Sequence, residues 1–210
     1  MNSRGIIRRS RLPVVINLLG IAAVAAGICA GCAWFARDVD VAAPRVSKRR
    51  VAIMGQGRAS TRQMAALLSS KNQRIAYDTA RKFAAIYVAE AQAEGVNADV
   101  AFVQMCLETD FLRFGGQVKP HQNNYCGLGA TDDGAAGATF PTVRAGVRAH
   151  IQHLKAYASR QSLRHEIIDP RFNLVKRGSA PYIDQLAGAW ATDPRYAEKL
   201  ARLLARLKQA

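Results

Sequence analysis

The chain has 210 residues and a mass of 22.8 kDa, with 30 Lys and Arg against 15 Asp and Glu. Half of the residues are apolar and 21% are charged, which excludes a disordered polymer, and the single long apolar run excludes a multi-span membrane protein. Residues 1–50 carry nine Lys and Arg against two Asp, so +8 of the net charge of +15 belongs to residues 51–210. This charge favours polyanionic partners, such as nucleic acid, anionic lipid or cell-wall polymers, without choosing among them.

The N-terminal segment predicts export. Residues 1–11 form a basic leader with four arginines, and residues 12–36 are uncharged. As a helix, the uncharged run would be roughly 37 Å long at about 1.5 Å per residue, enough to cross a hydrocarbon core of about 30 Å. With the leader in the cytoplasm, residues 12–36 are predicted to be a signal anchor in the cell membrane, with the rest of the chain outside. A cleaved signal, or a lipoprotein signal at Cys32, would also export the domain.

Residues 37–57 are predicted to be a linker, because they are rich in Arg, Val, Ala and Gly and lack aromatic residues. Residues 58–210 are predicted to form one folded domain. Two cysteines, Cys106 and Cys126, lie in this domain. Outside the membrane they can form a disulfide or stay as two buried thiols, and the sequence leaves both states open.

Apolar residues recur at helical spacing through most of the domain. Each predicted helix has its own start or stop signal. The first predicted helix is short and begins at a Ser60–Gln63 capping box. The next two are residues 73–94, which end before Gly95, and residues 98–112, which follow Asn97. The last two are residues 142–159, which begin at Thr142, and a terminal helix from Asp193-Pro194 through Leu207. The predicted fold class is therefore mainly α.

Residues 115–141 break the helical pattern, since they are rich in Gly and include two Pro and the pair Asn123-Asn124. A long irregular segment inside a compact domain usually carries function. We expect a small irregular or β-hairpin insert that forms a cleft against the helices.

Glu108 is the first candidate for chemistry. It lies between Leu107 and Phe111, near the end of an otherwise apolar helix and directly before the irregular segment. Burial there would disfavour the ionised carboxyl and raise its pKa, as a general acid near neutral pH requires. A solvent-exposed glutamate in the last turn of a helix is the alternative.

Four blocks of sequence, taken in order, resemble the bacterial glucosaminidases of glycoside hydrolase family 73, which have a lysozyme-like α+β fold. The blocks are Ala101–Thr109, Gln122–Gly129, the segment of Phe140-Pro141 with the helix Gly146–Leu154, and Trp190–Leu200. The resemblance covers roughly residues 60–208.

The resemblance implies a peptidoglycan hydrolase that cleaves β-1,4 bonds of the N-acetylglucosamine and N-acetylmuramic acid glycan. Glu108 would be its general acid. Asp132 and Asp133 are candidates to activate water, and they are equally good as ordinary turn residues. Asp110 ranks lower, because a residue two positions along a helix points away from Glu108. The stereochemical outcome stays open, since an N-acetyl group can also act as the nucleophile.

Sugar binding requires flat aromatic rings for the pyranose faces and amide groups for the hydroxyls. The candidates in or near the matched blocks are Asn123, Asn124, Tyr125, Gly127, Tyr182, Trp190 and Tyr196. For Trp190 and Tyr196, packing in the core is the alternative. His150 and His153 are spaced for zinc but lack further ligands, so no metal or cofactor is predicted.

Two other functions compete with the hydrolase. A lytic transglycosylase of the same fold would use one glutamate as both acid and base. A noncatalytic basic module would bind wall polymers or nucleic acid, but export separates the domain from nucleic acid, which we do not expect as a partner.

Overall fold

A computed structural model describes residues 50–130, 134 and 136–210. The predicted anchor at 12–36, most of the linker at 37–57, and both Asp132 and Asp133 lie outside the described residues. None of the helices in the described part of the chain is long and apolar enough to cross a membrane.

The described residues are mainly helical, as predicted. The α-helices among them are α1 (Thr61–Lys71), α2 (Tyr77–Glu94), α3 (Ala98–Glu108), α4 (Val143–Ala158) and α5 (Tyr196–Gln209). Three short 3₁₀ turns lie at Pro120–Gln122, Phe172–Leu174 and Ile183–Gln185. Extended pairing within the described ranges consists of isolated bridges, one of which joins Ala130 to Ala136 in the insert. The expected hairpin is therefore represented by a single bridge.

The predicted helix signals at three positions are confirmed. Ser60 accepts a hydrogen bond from the backbone N–H of Gln63, whose side chain accepts in return from the Ser60 N–H. Gly95 ends α2 with a left-handed φ of 73°, which glycine adopts without a steric penalty. Thr142 caps α4 through its Oγ1, which lies 3.1 Å from the Ala145 nitrogen.

The prediction that α3 continues to residue 112 is wrong. The helix ends at Glu108, and the backbone of Asp110, Phe111 and Leu112 has positive φ values of 48°, 54° and 62°. Thr109 stabilises this tight turn, because its hydroxyl accepts a hydrogen bond from the Leu112 N–H at 2.9 Å. The turn makes Glu108 the last helical residue and places it at the rim of the irregular insert.

The predicted starts of α2 and α5 are also wrong by a few residues. Asn72 holds the chain in a turn before α2, since its side-chain oxygen accepts from the Arg74 N–H at 3.2 Å. Before α5, Asp193 accepts from the Arg195 N–H at 2.9 Å, so the helix begins at Tyr196. In both cases a side-chain oxygen accepts a backbone hydrogen bond within a turn, and the helix begins after that turn.

Helix α3 forms the centre of the domain. Every residue from Ala98 to Cys106 is buried, as expected for a helix with apolar surroundings on all sides. Helices α2, α4 and α5 contact it, and α1 packs against α2. The largest fully buried apolar side chains include Met64, Leu68, Tyr87, Phe102, Met105, Leu154 and Leu200.

Ion pairs of two buried glutamates join α2 to α4. Lys155 Nζ lies 2.8 Å from Glu94 Oε2, and both side chains are almost fully buried. One turn earlier, Glu90 binds Arg144 and Arg148. Because these carboxylates keep cationic partners, their burial is compatible with the ionised state.

The insert approaches α4 closely at Gly146. A Cβ atom on this residue would lie 1.7 Å from the carbonyl oxygen of Asn123, which no real side chain could do. Asn123 itself has a left-handed φ of 50°. Glycine at position 146 therefore allows the insert to lie directly on the helix.

Candidate active site

Glu108 lines a pocket of about 180 Å³ between the end of α3 and the insert. The other lining residues come from the turn after α3 and from the insert: Thr109, Phe114, Gly116, Gln117, Val118, Asn124, Gly127 and Ala130. The pocket is where the sequence predicted a cleft. Glu108 reaches it because the helix ends at this residue.

One oxygen of the Glu108 carboxyl accepts two hydrogen bonds. Trp190 Nε1 donates to Oε1 at 3.0 Å, and the Tyr196 hydroxyl donates to the same oxygen at 2.5 Å. Oε2 has no hydrogen-bond partner among the described residues. The three side chains thus form one unit, and both aromatic residues come from the last of the four matched sequence blocks.

The pKa of Glu108 is raised above its ordinary value. Loss of hydration around the carboxyl is the largest cause, and the hydrogen bonds from Tyr196 and Trp190 oppose it by stabilising the ionised form. The residue as a whole is exposed at the pocket, but one carboxyl oxygen lies against the Trp190 and Tyr196 side chains, which displace water from it. Dehydration therefore dominates, since no described cation hydrogen-bonds to this carboxyl.

Behind Tyr196, a chain of hydrogen bonds continues into the core. Gln104 Nε2 donates to the Tyr196 hydroxyl at 2.7 Å. Gln104 Oε1 lies 3.0 Å from His150 Nε2, and His150 Nδ1 lies 3.0 Å from the Tyr87 hydroxyl. An amide oxygen only accepts, so His150 Nε2 carries the proton and Nδ1 accepts from Tyr87.

Every donor in this chain therefore points toward Glu108. Burial, together with the nearby His153, lowers the pKa of His150 to about 3, which keeps its ring neutral at neutral pH. A series of hydrogen bonds with one direction polarises its members cooperatively. The chain fixes the Tyr196 hydroxyl as a donor to the carboxyl and holds Glu108 in one orientation.

A second pocket of about 190 Å³ adjoins the first. Both pockets are lined by Gly127 and Ala130, and Trp190 lines the second while it donates to Glu108. Trp190 contacts His153 with a ring separation of 5.1 Å and Tyr157 with one of 5.5 Å. Its indole is thus fixed in place at the junction of the two pockets.

The predicted sugar-binding amides have structural partners. Asn124 is fully buried, and its side chain makes hydrogen bonds with the backbone of Leu128 and Ala138 at 2.9 to 3.0 Å. Asn123 Nδ2 donates to the Phe140 carbonyl, while its Oδ1 accepts from the Tyr125 hydroxyl. Asn124 lines the pocket, but the polar atoms of its side chain form hydrogen bonds with the backbone of the insert.

The other predicted residues divide into two groups. Tyr125 is buried against Phe83, with ring centroids 5.0 Å apart, and Tyr182 lies below the Arg50 guanidinium. Neither residue lines the two pockets. Gly127, Trp190 and Tyr196 do meet Glu108, through pocket lining or direct hydrogen bonds.

Among the acidic candidates, Asp110 is exposed and bound by Arg113 at 2.6 and 2.8 Å. The hydrogen bond from Arg113 is the main reason why the pKa of Asp110 is lowered. Asp132 and Asp133 lie outside the described residues, so their proposed role stays a prediction.

Cys106 and Cys126 are buried free thiols. Burial raises the pKa of both, so neither is a thiolate at neutral pH. His150 and His153 use different partners, since His153 Nδ1 lies 2.8 Å from Asp169 Oδ2. The two imidazoles therefore belong to separate hydrogen-bond networks.

The roles of Gln104 and Tyr87 were not predicted from the sequence, and His150 was considered only as a zinc ligand. One signal was present, because Gln104 and Glu108 are four residues apart and lie on the same face of α3. The contacts of His150 with α2 and α3 join distant parts of the chain, and spacing along the sequence does not indicate them.

Comparison with known proteins gives a family match. Residues 84–209 match the glucosaminidase family, described as mannosyl-glycoprotein endo-beta-N-acetylglucosaminidase. A stretch of 121 residues is 50% identical to an uncharacterized protein of Borreliella burgdorferi. This stretch covers 58% of the chain and 59% of that relative, so the chain spans about three fifths of the relative's length. No solved structure matches the chain.

The family match covers more than half of the chain and includes Glu108, Trp190 and Tyr196. It bears out the resemblance that the four sequence blocks indicated. The chain belongs to the glucosaminidase family.

Proposed function

We propose that the protein is an exported peptidoglycan hydrolase of lysozyme-like fold, with Glu108 as the general acid. Its substrate is the β-1,4-linked glycan of N-acetylglucosamine and N-acetylmuramic acid. The observation that carries this proposal is a carboxyl with a raised pKa at the rim of a pocket, bound on one oxygen by Trp190 and Tyr196. Membership of the glucosaminidase family supports the substrate class.

The hydrogen bonds indicate which oxygen delivers the proton. Oε1 of Glu108 already accepts from Trp190 and Tyr196, and two donors make an oxygen a poor site for an added proton. The neutral acid therefore carries its proton on Oε2. From there the proton passes to the glycosidic oxygen as the bond to the leaving sugar breaks.

A second group must complete the reaction at the sugar carbon. Asp132 or Asp133 would activate water, or the N-acetyl group of the substrate would attack in its place. The two routes differ in stereochemistry, because attack by water inverts the anomeric carbon and the internal nucleophile leads to retention. NMR of the first products would separate the two routes.

The direct test is Glu108→Gln in the full chain, with Glu166→Gln as a matched control on an exposed glutamate. Loss of a positioned general acid should lower the rate of wall lysis by a factor of about 100 or more. The control should lyse walls at the unchanged rate. Lysis by the folded Glu108→Gln protein at the rate of the control would refute the assignment.

A lytic transglycosylase is the second candidate. Glu108 is the one acidic side chain among the described residues that line the two pockets, and a transglycosylase needs only one. Mass spectrometry of digested peptidoglycan separates the two activities. Reducing N-acetylglucosamine ends support the glucosaminidase, whereas anhydromuramyl ends would show the transglycosylase.

Export follows from the same proposal, because the substrate lies outside the cytoplasm. Residues 12–36 are our candidate for the membrane anchor, and cleavage or lipidation at Cys32 would give the same exposure. Protease added to intact spheroplasts should degrade the domain from outside. Complete protection of the domain would contradict the proposed topology.

A further inference from the structure

The second pocket contains polar groups that the general-acid mechanism does not use. It is lined by His153, Tyr157, Arg171 and Trp190 together with residues 126–130. It shares Gly127 and Ala130 with the pocket at Glu108, and its Trp190 donates to the Glu108 carboxyl. A glycan held at Glu108 would therefore have a neighbouring sugar close to this pocket.

His153 offers one nitrogen to a ligand. Its Nδ1 lies 2.8 Å from the buried carboxylate of Asp169, which can only accept, so Nδ1 carries a proton. His153 is only 8% exposed, and its Nε2 has no hydrogen-bond partner among the described residues. Nε2 is thus the ring nitrogen left for a ligand at the pocket wall, suited to a hydroxyl group, which can both donate and accept.

Asp169 is itself held in place by hydrogen bonds with its neighbours. Its Oδ1 accepts from the Arg171 N–H at 2.8 Å, and its own N–H donates to Gln152 at 3.1 Å. The imidazole of His153 is therefore fixed in position. A fixed ring nitrogen binds a hydroxyl with little loss of side-chain entropy.

Arg171 brings a positive charge to the same pocket. The residue is exposed, and its guanidinium forms no salt bridge with any residue that the structure describes. It lies near Tyr157, whose pKa is raised mainly by burial, while the charge of Arg171 acts in the opposite direction. A guanidinium binds a carboxylate through two parallel hydrogen bonds.

The aromatic residues supply an apolar wall. Tyr157 and Trp190 lie with ring centroids 5.5 Å apart, and the Tyr157 hydroxyl donates to the Ala189 carbonyl at 3.0 Å. Aromatic faces suit the C–H face of a pyranose ring. The pocket thus combines a histidine nitrogen that can bind a hydroxyl, an apolar wall and a cation.

We propose that this pocket is a subsite for an acidic sugar, the muramyl residue next to the sugar bound at Glu108. This inference rests on the proposed function, because the glycan alternates. If N-acetylglucosamine lies at Glu108, both of its neighbours are muramyl residues. A carboxylate of that residue binds Arg171, a ring hydroxyl forms a hydrogen bond with His153 Nε2, and Trp190 contacts the sugar face.

Binding to the full chain with Glu108→Gln tests this subsite without any turnover. Calorimetry would compare a chito-oligosaccharide, which is neutral, with glucosaminyl-muramyl oligomers of the same length. Adding Arg171→Gln should weaken binding of the muramyl oligomers roughly tenfold relative to the neutral one, as loss of a charge-assisted hydrogen bond predicts. Adding Arg62→Gln, on the exposed face of α1, should leave this ratio unchanged.

Muramyl oligomers with and without stem peptide identify the source of the carboxylate. A loss confined to the peptide-bearing oligomer assigns it to the stem, and a loss with the peptide-free oligomer assigns it to the lactyl group. Two results would overturn the inference. One is that Arg171→Gln leaves the affinity for every oligomer unchanged, and the other is that the muramyl oligomers do not bind. Failure of the catalytic proposal would appear separately, as wall material that the unmutated protein leaves uncleaved.

Discussion

Glu94 and Glu108 are the last residues of consecutive helices, yet their surroundings shift the pKa of the two carboxyls in opposite directions. At Glu94, burial alone would raise the pKa. Hydrogen bonds from Lys155 and from the Arg164 and His165 amides outweigh burial and lower the pKa. At Glu108, the hydrogen-bond donors are neutral, and burial raises the pKa.

The neighbours of a glutamate at a helix end decide whether it stabilises the fold as an ion or can keep a proton for the proposed chemistry. Glu94 has a cation and backbone donors, so its charge is satisfied and joins α2 to α4. Glu108 has Trp190 and Tyr196, which orient it without neutralising its charge. A proton therefore stays on Glu108 at pH values where Glu94 is ionised.

Removing the cation at Glu94 should give the largest change in stability. Lys155→Met leaves a buried carboxylate without its cation, which costs about 3–5 kcal/mol in the free energy of unfolding. Urea denaturation at pH 7 measures this loss. Arg81→Met, which removes the exposed partner of Asp78 at 3.9 Å, should change the stability little. Equal effects of the two variants would show that the pair at Glu94 does not depend on burial.

The pocket beside Glu108 depends on the close approach at Gly146. In Gly146→Ala, the new Cβ would displace the Asn123 carbonyl, and we expect a loss of about 1–3 kcal/mol of stability, typical of overpacking. Wall lysis should fall with it, because the insert moves away from Glu108. Gly115→Ala is the control, since its Cβ would meet no atom within 4 Å. Unchanged stability and lysis in Gly146→Ala would contradict the described contact.

Tyr196→Phe should change the pH dependence of catalysis. The hydroxyl stabilises the ionised form of Glu108, so its removal should raise the pKa of Glu108 further. A general acid is active when protonated, and the alkaline limb of the kcat/KM profile should therefore move to higher pH. The maximal rate should fall roughly tenfold, because orientation of the acid is lost.

The exposed Tyr77 provides the matched control for this experiment. Tyr77→Phe should leave both limbs of the profile in place. If Tyr196→Phe lowers the rate but leaves the alkaline limb unmoved, the hydroxyl does not act on the Glu108 proton.

The smallest predicted effect is a pH-dependent gain of stability in Glu108→Gln. A carboxyl with a raised pKa in the folded state stabilises the fold below its unfolded pKa, and that contribution is lost as pH rises through the folded pKa. The Tm of Glu108→Gln relative to the unmutated protein should therefore increase as pH rises above 4.5, the ordinary value for Glu. A constant difference in Tm across this range would argue against the raised pKa.

The sequence predicted the helices and their caps well where the signal is local. Ser60 with Gln63, Gly95 and Thr142 each act within one turn of a helix end. The end of α3 was misplaced because Phe111 and Leu112 continue the apolar pattern, although their backbone is left-handed. A tertiary hydrogen bond from Asn72 to the Phe111 carbonyl helps to hold this turn, and periodicity does not report it.

The candidate site was predictable in part. Glu108 was indicated by its apolar neighbours, and Trp190 and Tyr196 by the family resemblance. Gln104 and His150 are 46 positions apart, and only the packing of α4 on α3 brings them to hydrogen-bond distance. The polar groups behind the proposed general acid are set by tertiary contacts, which a single sequence does not show.

Titration of individual glutamates by carbon-detected NMR would show directly whether the pKa of Glu108 is raised while that of Glu94 is lowered. The carboxyl signals of Glu94 and Glu108 would be assigned with Glu94→Gln and Glu108→Gln and followed from low to neutral pH in the folded protein. We predict that Glu108 titrates above 4.5 and Glu94 below it. A Glu108 carboxyl that titrates at or below 4.5 would contradict its role as a proton donor near neutral pH.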